Sequence, residues 1–337
     1  MQPISGANCG GRARSFRRRR LLLGLGGLAL PRIAPAQEVG FSRPVRFIVP
    51  FPAGSTPDIA ARALTERFRS AFGQSFVIEN RVGASGNLGT QVIARATDGH
   101  TIGVSILGPL ATAPAMFRDL GYDPMRDIAF VSNLVQAPQL LVVHPAVPAR
   151  TLAEFVSYAR ANPGRLSFGS VGAGSLGHLS MEELKARFAM DLVHVPYRGF
   201  PQAVIDLVAG RIQTIMLSAA AILAQVREGT ARPLVTTAHA RSRQAPEVPT
   251  LAEAGVAGLE SYGWIGLVAP GTAAPPLVNR LSFEAGAALR DEATRETLER
   301  VGFDIVASTP AEFARQAAAD VERWGGLIRR LGVTPDA

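Results

Sequence analysis

The sequence predicts an α/β fold of two lobes, each a mostly parallel sheet flanked by helices, joined by two crossing strands that serve as a hinge. Short β-branched runs alternate with amphipathic helical stretches from residue 45 onward. The segment 130–143, with Pro138 in its middle, is extended, apolar and longer than an ordinary strand. A second extended segment, 261–270, follows a loop. An interrupted first lobe (37–138 and 259–337), an inserted second lobe (139–258) and two linking strands are the layout of a hinge-closing protein.

The elements follow in order. Val45-Arg46-Phe47-Ile48-Val49 reads as the first strand. Residues 57–72 read as a helix with Ile59, Ala60, Ala63, Leu64 and Phe68 on one face. Thr56 is placed to N-cap it, Pro57 suits its first position and Gly73 ends it. Further strands are predicted at 75–79, 101–106, 139–143, 166–169, 192–195, 212–216 and 234–237. Thr151 and Glu154, Thr250 and Glu253, and Thr309 and Glu312 have capping-box spacing, each announcing a helix. A last amphipathic helix, 311–331, contains Trp324 and stops at Gly332.

The first 36 residues read as an export signal. Arg17-Arg18-Arg19-Arg20 precedes an apolar run over 21–30, and Ala34-Pro35-Ala36 is an A-x-A cleavage site, so cleavage is expected near Ala36. The apolar run is about half the length of a membrane span. Both the general and the twin-arginine routes fit. The whole chain has 35 basic and 27 acidic residues, a net charge of +8. Seven arginines and no acids lie in the first 36 residues, leaving 28 basic against 27 acidic. Nucleic acid is therefore not an expected partner. The single cysteine, Cys9, also leaves with the signal, so no disulfide or thiolate chemistry is expected. His100, His144, His178, His194 and His239 are scattered without metal-ligand spacing, and no metal or cofactor is expected.

The stretch 167–180, SFGSVGAGSLGHLS, lies between a strand and a helix. Gly172-Ala173-Gly174-Ser175-Leu176-Gly177 satisfies the dinucleotide fingerprint, yet the nearby acid, Asp191, precedes its strand instead of following one. Residues 173–177 fall one position short of a nucleophile elbow. Ser175 has His178 only three residues away, and no later Asp/His pair stands out in strand-end positions. An anion held by backbone amides and the Ser175 hydroxyl at a helix start is the reading that survives.

Several motifs together resemble the tripartite tricarboxylate transporter substrate-binding proteins, the Bug family. They are Val45–Val49 continuing through Pro50-Phe51-Pro52-Ala53-Gly54-Ser55-Thr56-Pro57-Asp58, then Glu79-Asn80-Arg81-Val82-Gly83-Ala84-Ser85-Gly86-Asn87, Tyr122-Asp123-Pro124 and Val143-His144-Pro145. The glycine stretch, His194-Val195-Pro196-Tyr197-Arg198-Gly199 and Val248-Pro249-Thr250-Leu251-Ala252-Glu253-Ala254-Gly255 complete the set. The resemblance runs from about residue 43 to 333. It implies a two-lobed periplasmic binding protein of type II-like architecture, not an enzyme. Such a protein captures a small carboxylate in its cleft and delivers it to integral membrane permease subunits.

The resemblance places the ligand against two loops. In the first, Phe51, Ala53, Gly54, Ser55 and Thr56 enter a helix whose positive end faces the cleft, and Ser55 and Thr56 add hydroxyl donors. Thr56 equally suits a capping role. Asp58 would repel a carboxylate, so it either bonds loop amides, the favoured role, or reads an ammonium. In the second loop the expected contacts are Gly172, Gly174 and Ser175. His178 and Tyr197 are candidates at the cleft wall, although a lone histidine is more often structural. Gly108 and Ala111–Ala113 match a stretch that approaches the ligand in similar proteins, with Met116 and Phe117 assigned to the core. Where relatives often carry an acid or amide, this chain has Ile215-Met216-Leu217-Ser218-Ala219-Ala220-Ala221-Ile222. The expected ligand therefore has one well-held carboxylate and an apolar or aromatic remainder. A sensor that presents its closed form to a membrane partner is the alternative role, and a hydrolase using Ser175 is a distant third.

Overall fold

The computed structural model describes residues 40–242 and 244–335, so the export segment read at 1–36 lies outside them. The first half starts with β1 (Val45–Val49), α1 (Thr56–Phe72), β2 (Phe76–Asn80), α2 (Asn87–Ala94) and β3 (Thr101–Ile106). A π-helical turn, Gly108–Thr112, runs into α3 (Ala113–Met116), and α4 (Pro124–Asp127) leads to the long strand β4 (Ile128–Val143). The second half holds α5 (Leu152–Ala161), β5 (Leu166–Ser170), α6 (Leu176–Phe188), β6 (Leu192–Pro196), α7 (Phe200–Val208), β7 (Thr214–Ser218), α8 (Ala219–Arg227) and β8 (Arg232–Thr236). The chain returns through β9 (Tyr262–Pro270) and closes the first half with α9 (Pro275–Arg290), α10 (Glu292–Arg300), β10 (Asp304–Ile305) and α11 (Pro310–Leu331).

The strands are hydrogen-bonded in the order β2-β1-β3-β9-β4-β7-β5-β6, with β8 and β10 also on β4. The β2-β1-β3 and β7-β5-β6 groups are parallel, while every pairing of β9 and β4 is antiparallel. β4 is common to both halves. From Ile128 to Pro138 it pairs with β9, and from Gln139 to Val143 it pairs with β7 and β8. Pro138 sits where the partners change, and its missing N–H costs no ladder bond at the end of a run.

Apolar periodicity explains most of these elements. α1 buries Ala60, Ala61, Leu64, Phe68 and Phe72 on one face, and Gly73 ends it in the left-handed region at φ 66°. Phe68 packs 5.1 Å from Phe76 and 6.2 Å from Phe47. Such side chains are worth roughly 1.5–3 kcal/mol each on burial. The second half has its own core, with Phe155, Phe168, Leu184 and Met216 fully buried.

Two local expectations are corrected. The N-cap of α1 is Ser55, whose side chain caps nothing, and Thr56 is the first helical residue. Thr250 and Glu253 do form both capping-box bonds, Thr250 N to Glu253 Oε2 at 2.8 Å and Glu253 N to Thr250 Oγ1 at 3.1 Å. They close only a turn, because Gly255 adopts φ 83° and the chain leaves for β9. At Thr309 the same box does begin a helix, α11.

Candidate functional site

Parallel strands place the turns that follow them at one edge of each half, which is where ligands bind in open α/β sheets. Five such turns meet here: those after β1, β3, β5, β6 and β7, entering α1, the π-helical turn, α6, α7 and α8. Between the halves they enclose a cavity of about 670 Å³ of empty space, its mouth included. Phe51, Ser55 and Thr56 line it from the first turn, Leu107 and Gly108 from the second, Ser175, Leu176 and Gly177 from the third. Phe200 and Ser218 add to it from the starts of α7 and α8. The crossing strands form the floor, through Gln139 of β4 and Gly263, Trp264 and Ile265 of β9.

No lining side chain among the described residues carries a formal charge. Helix starts supply the positive potential instead, since the first amides of α1 and α6 have no intrahelical acceptor. Ser55 Oγ is buried, with the residue 2 % exposed, and has no hydrogen-bond partner among the described residues. Ser175 caps α6 by accepting from His178 N at 3.4 Å. Burying an unpaired hydroxyl costs roughly 1–3 kcal/mol, so an acceptor brought to Ser55 recovers that cost.

The wall opposite these donors is apolar. Trp264 Nε1 donates to Asp320 Oδ2 of α11 at 2.8 Å, which turns the N–H away and leaves the ring as a cavity face. Phe313 stacks edge-on against it at 5.1 Å. Met216 and Ser218 reach the cavity from β7, whereas Leu217 packs on the other side of the sheet. Strand alternation decides this, so of the apolar stretch read against the ligand Met216 and Ser218 face the cavity and Leu217 does not.

Of the thirteen residues expected at the ligand, Phe51, Ser55, Thr56, Gly108 and Ser175 line the cavity. The other eight stand back from it, each for a visible reason. Ala53 and Gly54 are exposed at the outside of the first turn. Asp58 accepts from Gly54 N at 2.9 Å, Arg62 Nε at 2.8 Å and Asn80 Nδ2 at 3.0 Å, fixing the loop from behind. Burial pushes its pKa upward, but those hydrogen bonds outweigh burial and hold it below the ordinary value. Ala111 is fully buried in the apolar core beside the π-helical turn. Gly172 and Tyr197 line a neighbouring groove with Ser85, and Tyr197 Oη donates to Asp206 Oδ2 at 2.9 Å.

Gly174 and His178 act on the site from one step behind. Gly174 has φ 74°, which favours glycine, and its N–H donates to His178 Nδ1 at 3.2 Å. Its carbonyl accepts from Thr112 Oγ1 at 2.6 Å, and Thr112 also bonds the Gly108 carbonyl at 3.0 Å. Thr112 thus ties the two halves together across the site. With Nδ1 engaged in this way, the His178 ring is not placed as a base for the Ser175 hydroxyl.

The halves meet elsewhere too. Arg330 of α11 donates to Glu183 of α6 at 2.6 Å. A Cβ added at Gly199 would lie 2.9 Å from Pro52 Cδ. The described residues form one compact unit, with the two halves in contact beside the cavity.

The comparison with known proteins is decisive. The profile of the tripartite tricarboxylate transporter family receptor matches residues 60–333. The chain belongs to that family. It is 31 % identical over 314 residues to the protein BugT of Bordetella pertussis, covering 93 % of this chain and 95 % of BugT. Among solved structures, the R. palustris protein Rpa4515 with adipate superposes with a TM-score of 0.83 at 33 % identity, covering 88 % of this chain and 99 % of that one. The periplasmic binding protein BugD superposes equally well, with a TM-score of 0.83 at 28 % identity and coverage of 88 % and 100 %. The fold of this family receptor is thus the two-lobed fold of periplasmic binding proteins.

Sequence reasoning missed Gln139, Trp264, Phe200, Ser218 and Phe303, all of which line the cavity. The signal for Gln139 and Trp264 was available: both lie in the two segments read as crossings, and strands that link two lobes must floor the cleft between them.

Proposed function

We propose that this family receptor is an extracytoplasmic solute-binding protein that captures a small carboxylate between its lobes and delivers it, unaltered, to a membrane permease. The segments 37–138 and 259–337 form one lobe and 139–258 the other. Residues 1–36 direct export to the periplasm and are removed near Ala36. The ligand carboxylate sits between the starts of α1 and α6, taking hydrogen bonds from Ser55, Thr56, Ser175 and the first amides of α6. The mainly apolar body of the ligand lies against Trp264, Met216 and Phe303. The observation that carries this reading is the buried hydroxyl of Ser55, which has no partner among the described residues and opens onto a cavity lined by helix starts, with no charged side chain of the described residues in its lining. The solved relative with adipate supports the ligand class.

A thermal-shift screen of mono-, di- and tricarboxylates, amino acids and aromatic acids tests it. A ligand at about a hundred times its dissociation constant stabilises the folded form by roughly 2.7 kcal/mol, a readable rise in melting temperature. The expected hit is a carboxylate, and Ser55→Ala should weaken it about tenfold by removing one charge-assisted hydrogen bond. Silence from every carboxylate, or a hit indifferent to Ser55→Ala and Ser175→Ala alike, overturns the proposal.

A further inference from the structure

We infer that Gln139 and Ser218 form a second polar contact for the bound acid, one that selects an uncharged group able both to donate and to accept a hydrogen bond. The inference rests on the binding-protein reading and names which acids the cavity prefers.

Gln139 is the residue at which β4 leaves one sheet for the other, and Ser218 is its direct cross-strand partner on β7. Side chains at such paired positions stand together on one face of the sheet. Both line the cavity, with Gln139 3 % exposed and Ser218 8 % exposed. Neither side chain has a hydrogen-bond partner among the described residues: the bonds to Gln139 use its backbone, and Ser218 N-caps α8 without a side-chain bond. Gly263 makes room for the amide, since a Cβ there would come within 3.0 Å of Gln139 Nε2. Two polar side chains, side by side, open to the cavity and without a partner among the described residues, are a docking point for a polar group of the ligand.

The chemistry of the pair sets the charge of that group. An amide and a hydroxyl each donate and accept. A second carboxylate would use their donors alone and leave Gln139 Oε1 unpaired. It would also bury a second negative charge where no lining side chain among the described residues is cationic. The start of α8, where Ser218 reaches the cavity, eases this cost with partial charge but supplies no full counter-charge. An ammonium would find acceptors but no counter-charge. A hydroxyl or a primary amide satisfies both partners.

Titration calorimetry on the purified protein with acids matched in chain length tests the assignment. Each set holds the plain monocarboxylate, its ω-hydroxy derivative, the diacid monoamide and the diacid, for example hexanoate, ω-hydroxyhexanoate, adipic acid monoamide and adipate. The hydroxy acid and monoamide are expected to bind at least about tenfold tighter than the other two. Gln139→Leu should reduce the monoamide-to-monocarboxylate affinity ratio to near unity, and Ser218→Ala should reduce it several-fold. Gln139→Glu, which keeps the shape, should lose the monoamide preference and weaken the diacid further. Unliganded melting curves show that each variant folds. A diacid as tightest ligand, a ratio that survives Gln139→Leu, or binding confined to acids without a second polar group overturns the inference and leaves the carboxylate reading standing. No binding of any carboxylate defeats both.

Discussion

His178 shows how a buried residue can shape a cavity-side loop without lining the cavity itself. Its ring stacks on His194 at 4.2 Å, with Phe168 beyond, and lies within range of Lys185 and Glu182. Burial, reinforced by His194 and Lys185, pushes its pKa from 6.5 down to about 3. The folded protein therefore holds it neutral, as the acceptor for Gly174 N–H requires. In the unfolded chain the imidazole takes up a proton near 6.5, so between that value and about 3 the unfolded state binds more protons. Stability rises with pH across this window and is lost as pH falls through it. His178→Gln, which keeps an acceptor but does not titrate, should flatten the dependence of melting temperature on pH over that interval. Parallel curves for the two proteins would show that the imidazole is not held neutral.

The π-helical turn contributes Thr112, whose hydroxyl serves carbonyls from both halves. In Thr112→Val the Gly174 carbonyl loses its partner only in the closed form, since an open cleft hydrates it. Affinity for the ligand should fall about tenfold, mostly through faster dissociation, while the unliganded melting temperature stays close to wild type. Equal dissociation rates in stopped-flow would defeat that expectation. The elements themselves were largely legible in the sequence. β1 and β3 stand at their expected positions, and Gly73 ends α1 as expected. What escaped prediction depends on partners far away in the chain. Leu217 and Ser218 differ in role only because β7 pairs with β4 and alternates sides. Gln139 carries no local motif, and its significance comes from where β4 changes sheets. The glycine-rich stretch was readable as a turn into a helix, and Ser175 in it does line the cavity, but which glycines face the cavity depends on Thr112 and Ser85 of the other half.

For the molecule as a whole, the proposed function requires that two halves sharing one strand separate and meet again. Gly199 is a clean point at which to obstruct the meeting, because its φ of 179° is open to any residue. A methyl there would come within 2.9 Å of Pro52 Cδ across the cleft mouth. Gly199→Ala should weaken ligand binding several-fold with little change in unliganded stability. It should also give a larger radius of gyration in X-ray scattering with ligand present. Wild-type affinity and dimensions would mean that the mouth tolerates the methyl.

The wall made by Trp264 has one more consequence. The chain has two tryptophans, Trp264 and Trp324, and both sit in the apolar cluster behind the cavity. Only the first borders the cavity proposed to hold the solute. Replacing water with solute against that indole changes the polarity its excited state experiences. The protein thus carries its own optical gauge of occupancy, readable in unlabelled samples from the colour of its emission.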